Sequence, residues 1–134
     1  MPRFLRIETQ MFPAERIAKI NRDAAINGVQ GVEVTLHGIP ETFQYTGHFA
    51  RVACAVLEGV EPTTTPPVYP ETIQVGKEQL VINDIEWIDF ASNINNETGV
   101  ELRISTDAPG HTRQYTRDDA SEAYDSLVLL ESVA

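Results

Sequence analysis

Three histidines, one cysteine and a short acidic run are the residues here with reactive side chains at suggestive positions. His37, His48 and His111 are too far apart for any two to share one helical face at i, i+3 or i, i+4. None stands at a metal-ligand spacing from Cys54. His37 and His111 read as exposed loop residues, and His48 as a surface residue in a first helical turn. Cys54 reads as a small buried hydrophobe, because no motif supplies the base that a nucleophilic thiol needs. Asp84, Glu86 and Asp89 offer hard oxygen ligands that suit a weak Ca²⁺ site, without the Asp-x-Asp-x-Asp-Gly run of an EF-hand. Tyr45 and Tyr115 each follow Gln and precede Thr, which makes them a candidate paired ligand site. The simpler role is a strand-end ring packed on the next helix. Nucleophile-elbow, phosphate-loop and dinucleotide-binding motifs are missing from the sequence. The expectation is therefore no cofactor, and the sequence points away from an enzyme.

The elements that position these residues follow from a repeat. A shift of 68 residues lays Ile17 on Ile85, Ile20 on Ile88 and Ile26-Asn27 on Ile94-Asn95. It also lays Gly31-Val32-Glu33 on Gly99-Val100-Glu101. A shift of 70 then lays Gln44-Tyr45-Thr46 on Gln114-Tyr115-Thr116, with Ala50, Ala53 and Leu57 on Ala120, Ala123 and Leu127. The reading is an internal duplication with residues 1–60 as one copy and 71–134 as the other. Between them, residues 61–70 carry four prolines, which excludes helix and predicts an extended strap.

Alternation with period two predicts strands around Leu5 and Ile7 and from Val32 to Leu36, with their counterparts in the second copy. Pro13 marks a strand edge or start. Asn27-Gly28 predicts a tight hairpin turn. Thr46 and Thr116 stand where helix N-caps belong, and Asp119 three residues after Thr116 suggests a capping box. Ala120, Ala123, Tyr124, Leu127 and Leu130 recur at helical spacing. Each copy therefore reads as β-β-β-β-α. A 60-residue unit has a thin core. The expected fold is thus α+β: two half-sheets and two helices packed about a pseudo-twofold axis as one compact domain, 1–134.

Charge and apolar patterning bound the function. The chain nets −10, and 42% of its residues are hydrophobic, enough for a packed core. An acidic balance disfavours nucleic-acid backbones and anionic lipid, and no apolar run approaches the roughly 20 residues of a membrane span. A lone cysteine suits a reducing cytoplasm. Residues 1–60 are neutral, whereas 71–134 net −9. The second helix carries Asp118, Glu122 and Asp125 along one stripe. The first carries Phe49, Val52 and Val56 where the second has Asp119, Glu122 and Ser126. That makes the first helix apolar almost all round, buried on both sides or presenting a surface. The leading expectation is a non-enzymatic interaction or regulatory module whose partner, a protein or a second copy, docks on Phe49, Val52 and Val56. The alternatives are an acidic decoy for a basic or nucleic-acid-binding protein, acting through Asp118, Glu122 and Asp125, and a small-ligand or Ca²⁺ binder.

Overall fold

The computed structural model describes residues 4–40, 42–63, 71–108 and 111–131. Most of the predicted strap, residues 64–70, lies outside the described residues. The mixed α+β class holds: ten strands in three sheets and two α-helices. The chain divides into two compact units, Met1–Pro13 with Val68–Ala134, and Ala14–Pro67.

The larger unit contains strands β1 (Phe4–Ile7), β2 (Gln10–Pro13), β6 (Thr72–Val75), β7 (Glu78–Val81), β8 (Ile85–Ile94), β9 (Glu97–Ile104) and β10 (Arg113–Tyr115), and helix α2 (Arg117–Leu127). Its main sheet runs β1-β2-β8-β9-β10, all antiparallel, with Gln10 opposite Asp89 and Met11 opposite Ile88. The Phe90 N–H donates to the Thr9 carbonyl at 2.7 Å and extends this pairing. β6 and β7 form a separate hairpin that packs on α2. Phe4 and Met11 join Val75, Leu80, Ile88, Leu102, Ala123 and Leu127 in one core. Each fully buried Leu contributes roughly 1.5–3 kcal/mol.

The smaller unit contains β3 (Ile17–Ile26), β4 (Val29–Leu36), β5 (Thr42–Thr46) and helix α1 (His48–Val56), with sheet order β3-β4-β5. Ile17, Val32, Val34, Leu36, Ala53 and Leu57 are buried. Thr63 fastens the start of the strap to this unit. Its N–H donates to the Ile17 carbonyl at 2.9 Å, and its hydroxyl donates to the Glu15 carbonyl at 2.7 Å.

The structure corrects the expected unit in three ways. There are five strands before each helix instead of four. Pro13 ends β2, and a 3-10 turn at Ala14–Arg16 separates it from β3; Ile82–Asp84 does the same between β7 and β8. There are three sheets instead of two half-sheets, because β2 pairs with β8 and leaves β6-β7 as a sheet of its own. Of the two predicted threonine caps, Thr116 does hold the N-cap position of α2, whereas Thr46 does not hold that of α1. Helix α1 opens on Gly47 at φ 58°, and Thr116 makes no side-chain capping bond. The next residue, Arg117, takes φ 55°. A positive φ at the helix entry turns the chain where a capping side chain was expected.

The ladders β3-β4 and β8-β9 match in detail. Ile17 lies opposite Leu36 and Ile85 opposite Ile104, and both ladders break register directly after that pair and again before Ala24 and Ser92. Asn27-Gly28 (φ 51° and 79°) and Asn95-Asn96 (φ 50° and 68°) both have the two left-handed residues of a type I′ hairpin.

Candidate functional site

In each unit a cleft opens between the β-hairpin and the helix. The position follows from a glycine in the middle strand. A Cβ on Gly31 would lie 2.3 Å from the Tyr45 carbonyl oxygen, and one on Gly99 would lie 2.3 Å from that of Tyr115. Without a side chain there, the edge strands β5 and β10 approach closely at their helix ends. The following helix then starts beside the hairpin and leaves a concave strip.

The two clefts share a frame but not a chemistry. In the larger unit the walls are Phe90, Tyr124, Ser121, Asp125 and Gly99, around about 240 Å³. The Phe90 and Tyr124 rings meet edge to face at 5.1 Å, and the Arg6 guanidinium lies 4.9 Å from the Phe90 centroid and 6.0 Å from that of Tyr124. Arg6 also pairs with Glu131 at 3.8 Å. This aromatic face therefore has its cation already in place.

In the smaller unit the corresponding walls are Arg22, Arg51, Gln30, Cys54, Gly31, Val32 and Ala50, around about 430 Å³. Arg22 stands where β8 has Phe90, and Cys54 where α2 has Tyr124. Arg22 Nη2 donates to the Leu57 carbonyl at 3.1 Å, which directs the guanidinium along the helix end. Gln30 donates to Asp23. Cys54 is exposed, which corrects the expectation of a buried thiol. Ala53, its neighbour, takes the buried position, and Cys54 lies one step round the helix at the rim.

The apolar residues of α1 divide by depth. Val52 and Val56 are half-buried, and Phe49, in the first turn, is 50% exposed. Asp119 and Glu122, which α2 holds at the matching places, are exposed. Asp118, Glu122 and Asp125 all face solvent, and Asp125 also borders the aromatic cleft.

The remaining sequence candidates fall into structural roles. Tyr45 is buried on β5 opposite Val32, and Tyr115 is half-buried on β10 opposite Val100. Burial raises the Tyr115 hydroxyl above its ordinary pKa. His37 is half-buried, not exposed. Its Nε2 lies 2.6 Å from the Thr63 carbonyl oxygen, so Nε2 carries a proton and donates. His48 and His111 are exposed. Asp84 ends a 3-10 turn, Glu86 is buried at the β8 irregularity, and Asp89 accepts the Ala91 N–H at 3.0 Å. Among the described residues no group of three or more His, Cys, Asp or Glu is placed to hold a metal ion. No helix of the described residues is long and apolar enough to cross a membrane.

Sequence reasoning missed two clusters. Glu101 accepts from Ser92 Oγ at 3.0 Å, Thr112 Oγ1 at 2.6 Å and Gln114 Nε2 at 2.9 Å. Burial raises its pKa, but the bonds from Gln114, Thr112 and Ser92 outweigh burial and leave it lowered. Arg113 forks onto Asp107 at 3.0 and 3.1 Å and also binds Glu78. The recurring Gln44 and Gln114 were the available signal for the first, since Gln44 likewise donates to Glu33 at 2.9 Å. The Arg113 cluster joins the loop after β9 to β7 and left no local pattern. No protein-family model, curated protein or solved structure matches the chain.

Proposed function

We propose that the chain is a non-enzymatic interaction module that self-associates through α1. The observation that carries this reading is Phe49, half-exposed at the start of α1 and continued by the half-buried Val52 and Val56. Charge favours a second copy as the occupant. The smaller unit sets Arg16, Lys19, Arg22 and Arg51 against Glu15, Asp23, Glu33, Glu41, Glu58 and Glu61, a net of −2. The larger unit holds the other 6 basic and 14 acidic residues, a net of −8. Two such chains repel least when their smaller units meet. A face that pairs with its own copy gives a closed twofold dimer. Burying the open half of one Phe removes about 100 Å² of apolar surface, roughly 2.5 kcal/mol per copy; against an association cost of about 4–15 kcal/mol, even a weak, reversible dimer needs the contact to extend beyond Phe49 over Val52, Val56 and their surroundings.

The cleft beside α1 supports the non-enzymatic part. Its walls hold no histidine or carboxylate to take the Cys54 proton. The matching ladders, hairpin turns and glycines support a duplicated unit whose two copies have diverged in surface. The exposed thiol suits a reducing compartment, and we assign the protein to the cytoplasm.

Light scattering after size exclusion tests the reading. Phe49→Glu places a carboxylate in the first turn of α1, where the helix dipole tolerates it, so the fold is expected to survive. The dimer fraction is expected to disappear. Leu129→Glu, at the most exposed apolar residue of the larger unit, is expected to leave it unchanged. Equal loss in both variants, or in neither, overturns the assignment of α1.

A further inference from the structure

We propose that the cleft between β3, β4 and α1 is a binding site for a small oxyanion, a phosphorylated or carboxylated molecule. This rests on a different surface from the dimer face. The chain nets −10, yet this cleft presents two guanidiniums, Arg22 and Arg51, and no carboxylate lines it. Asp23 lies beside the wall and accepts from the Gln30 amide. Arg51 makes no side-chain hydrogen bond or ion pair among the described residues. Arg22 uses Nη2 on the Leu57 carbonyl at 3.1 Å, which orients the guanidinium and leaves Nε and Nη1. A planar fork of donors fits carboxylate and phosphate oxygens, and fixing the fork beforehand lowers the ordering cost of binding. The volume, about 430 Å³, falls in the range of small-molecule sites.

The other unit supplies an internal contrast. Its cleft has the same frame, but Phe90 replaces Arg22, Ser121 replaces Arg51, and Asp125 adds a negative charge. The guanidinium set against its rings, Arg6, is engaged with them and with Glu131. The cationic character therefore belongs to the smaller unit and does not come with the frame.

Cys54, at the rim, reports on the cleft. Iodoacetate and iodoacetamide alkylate a thiolate in the same way: sulfur bonds to the CH₂ carbon and iodide leaves. They differ in that only iodoacetate carries a carboxylate. The ratio of their rates therefore cancels thiol ionisation and reads local charge. Two guanidiniums lining the same cleft as Cys54 are expected to raise the iodoacetate-to-iodoacetamide ratio several-fold over that of the same thiol in the urea-unfolded chain. Arg51→Gln, at an exposed position, is expected to remove at least half of the logarithm of this enhancement with an unchanged melting curve. Arg22→Gln is expected to do likewise. Millimolar inorganic phosphate or succinate is then expected to protect Cys54 in the folded wild type. Stronger protection by phosphate assigns a phosphoryl group, and stronger protection by succinate a carboxylate. A ratio equal in folded and unfolded chains, or no protection by either anion, overturns the proposal.

Discussion

Replacing Gly99 by Ala tests the close approach that shapes both clefts. Ordinarily Gly→Ala in a strand stabilises by about 0.4–1 kcal/mol, because the unfolded chain loses freedom. Here the new methyl would lie 2.3 Å from the Tyr115 carbonyl oxygen and 3.0 Å from Ile94 Cδ1. A carbon–oxygen contact needs about 1 Å more. The obstruction is backbone, so β10 must move away from β9 along the pairs Tyr115–Val100 and Gln114–Glu101. Overpacking of this kind costs about 1–3 kcal/mol, and a weakened ladder bond adds about 1 kcal/mol. Net of the entropic gain, a loss of about 1–3.5 kcal/mol is expected for Gly99→Ala and equally for Gly31→Ala. Urea unfolding followed by circular dichroism reads it as a lower midpoint at unchanged slope. Thr98→Ala, next along β9 and exposed, is the control and is expected to cost under about 1 kcal/mol. A Gly99→Ala variant as stable as wild type would refute the argument from contact distance.

Two further predictions follow from the same packing. Arg117 adopts φ 55° at the entry of α2, where Gly47 serves α1, and its ion pair to Glu97 is largely exposed. Arg117→Gly is expected to raise stability by up to about 1 kcal/mol in thermal melts, because relief of the left-handed strain exceeds the loss of a surface pair. Glu101 has a lowered pKa in the folded chain, so the stabilisation it provides is complete above the unfolded carboxylate value and is lost as pH falls through the folded one. The melting-temperature gap between wild type and Glu101→Gln is therefore expected to close on acidification below about pH 4–5, and a gap independent of pH would contradict it.

The sequence carried the strands and helices well because their signals are local. Val32, Val34 and Leu36 alternate, and Ala123 and Leu127 share a helical face; all are buried. Asn27-Gly28 forms the hairpin turn that its conformational preference requires. The partner of β2 was not legible. Nothing in Gln10–Pro13 distinguishes pairing with β8 from pairing with the nearer β3, since strand choice depends on contacts far along the chain. The entry of α1 was misread because threonine and glycine compete for the same role, and Gly47 offers a turn that needs no capping oxygen; Thr116 does stand at the N-cap of α2, without a side-chain capping bond. Cys54 was read as buried because no base accompanies it, whereas it lies exposed at the rim of the helix's buried arc. The arginine cleft escaped notice because Arg22 and Arg51 lie on different elements, and only folding brings them to one cavity.

Sedimentation equilibrium of the wild-type chain, from low micromolar to several hundred micromolar, tests the central claim most directly. The account predicts a weight-average mass that rises from 14.9 kDa toward twice that value and levels off there, since a closed twofold contact cannot propagate. A mass that stays at one chain throughout, or climbs without limit, contradicts it.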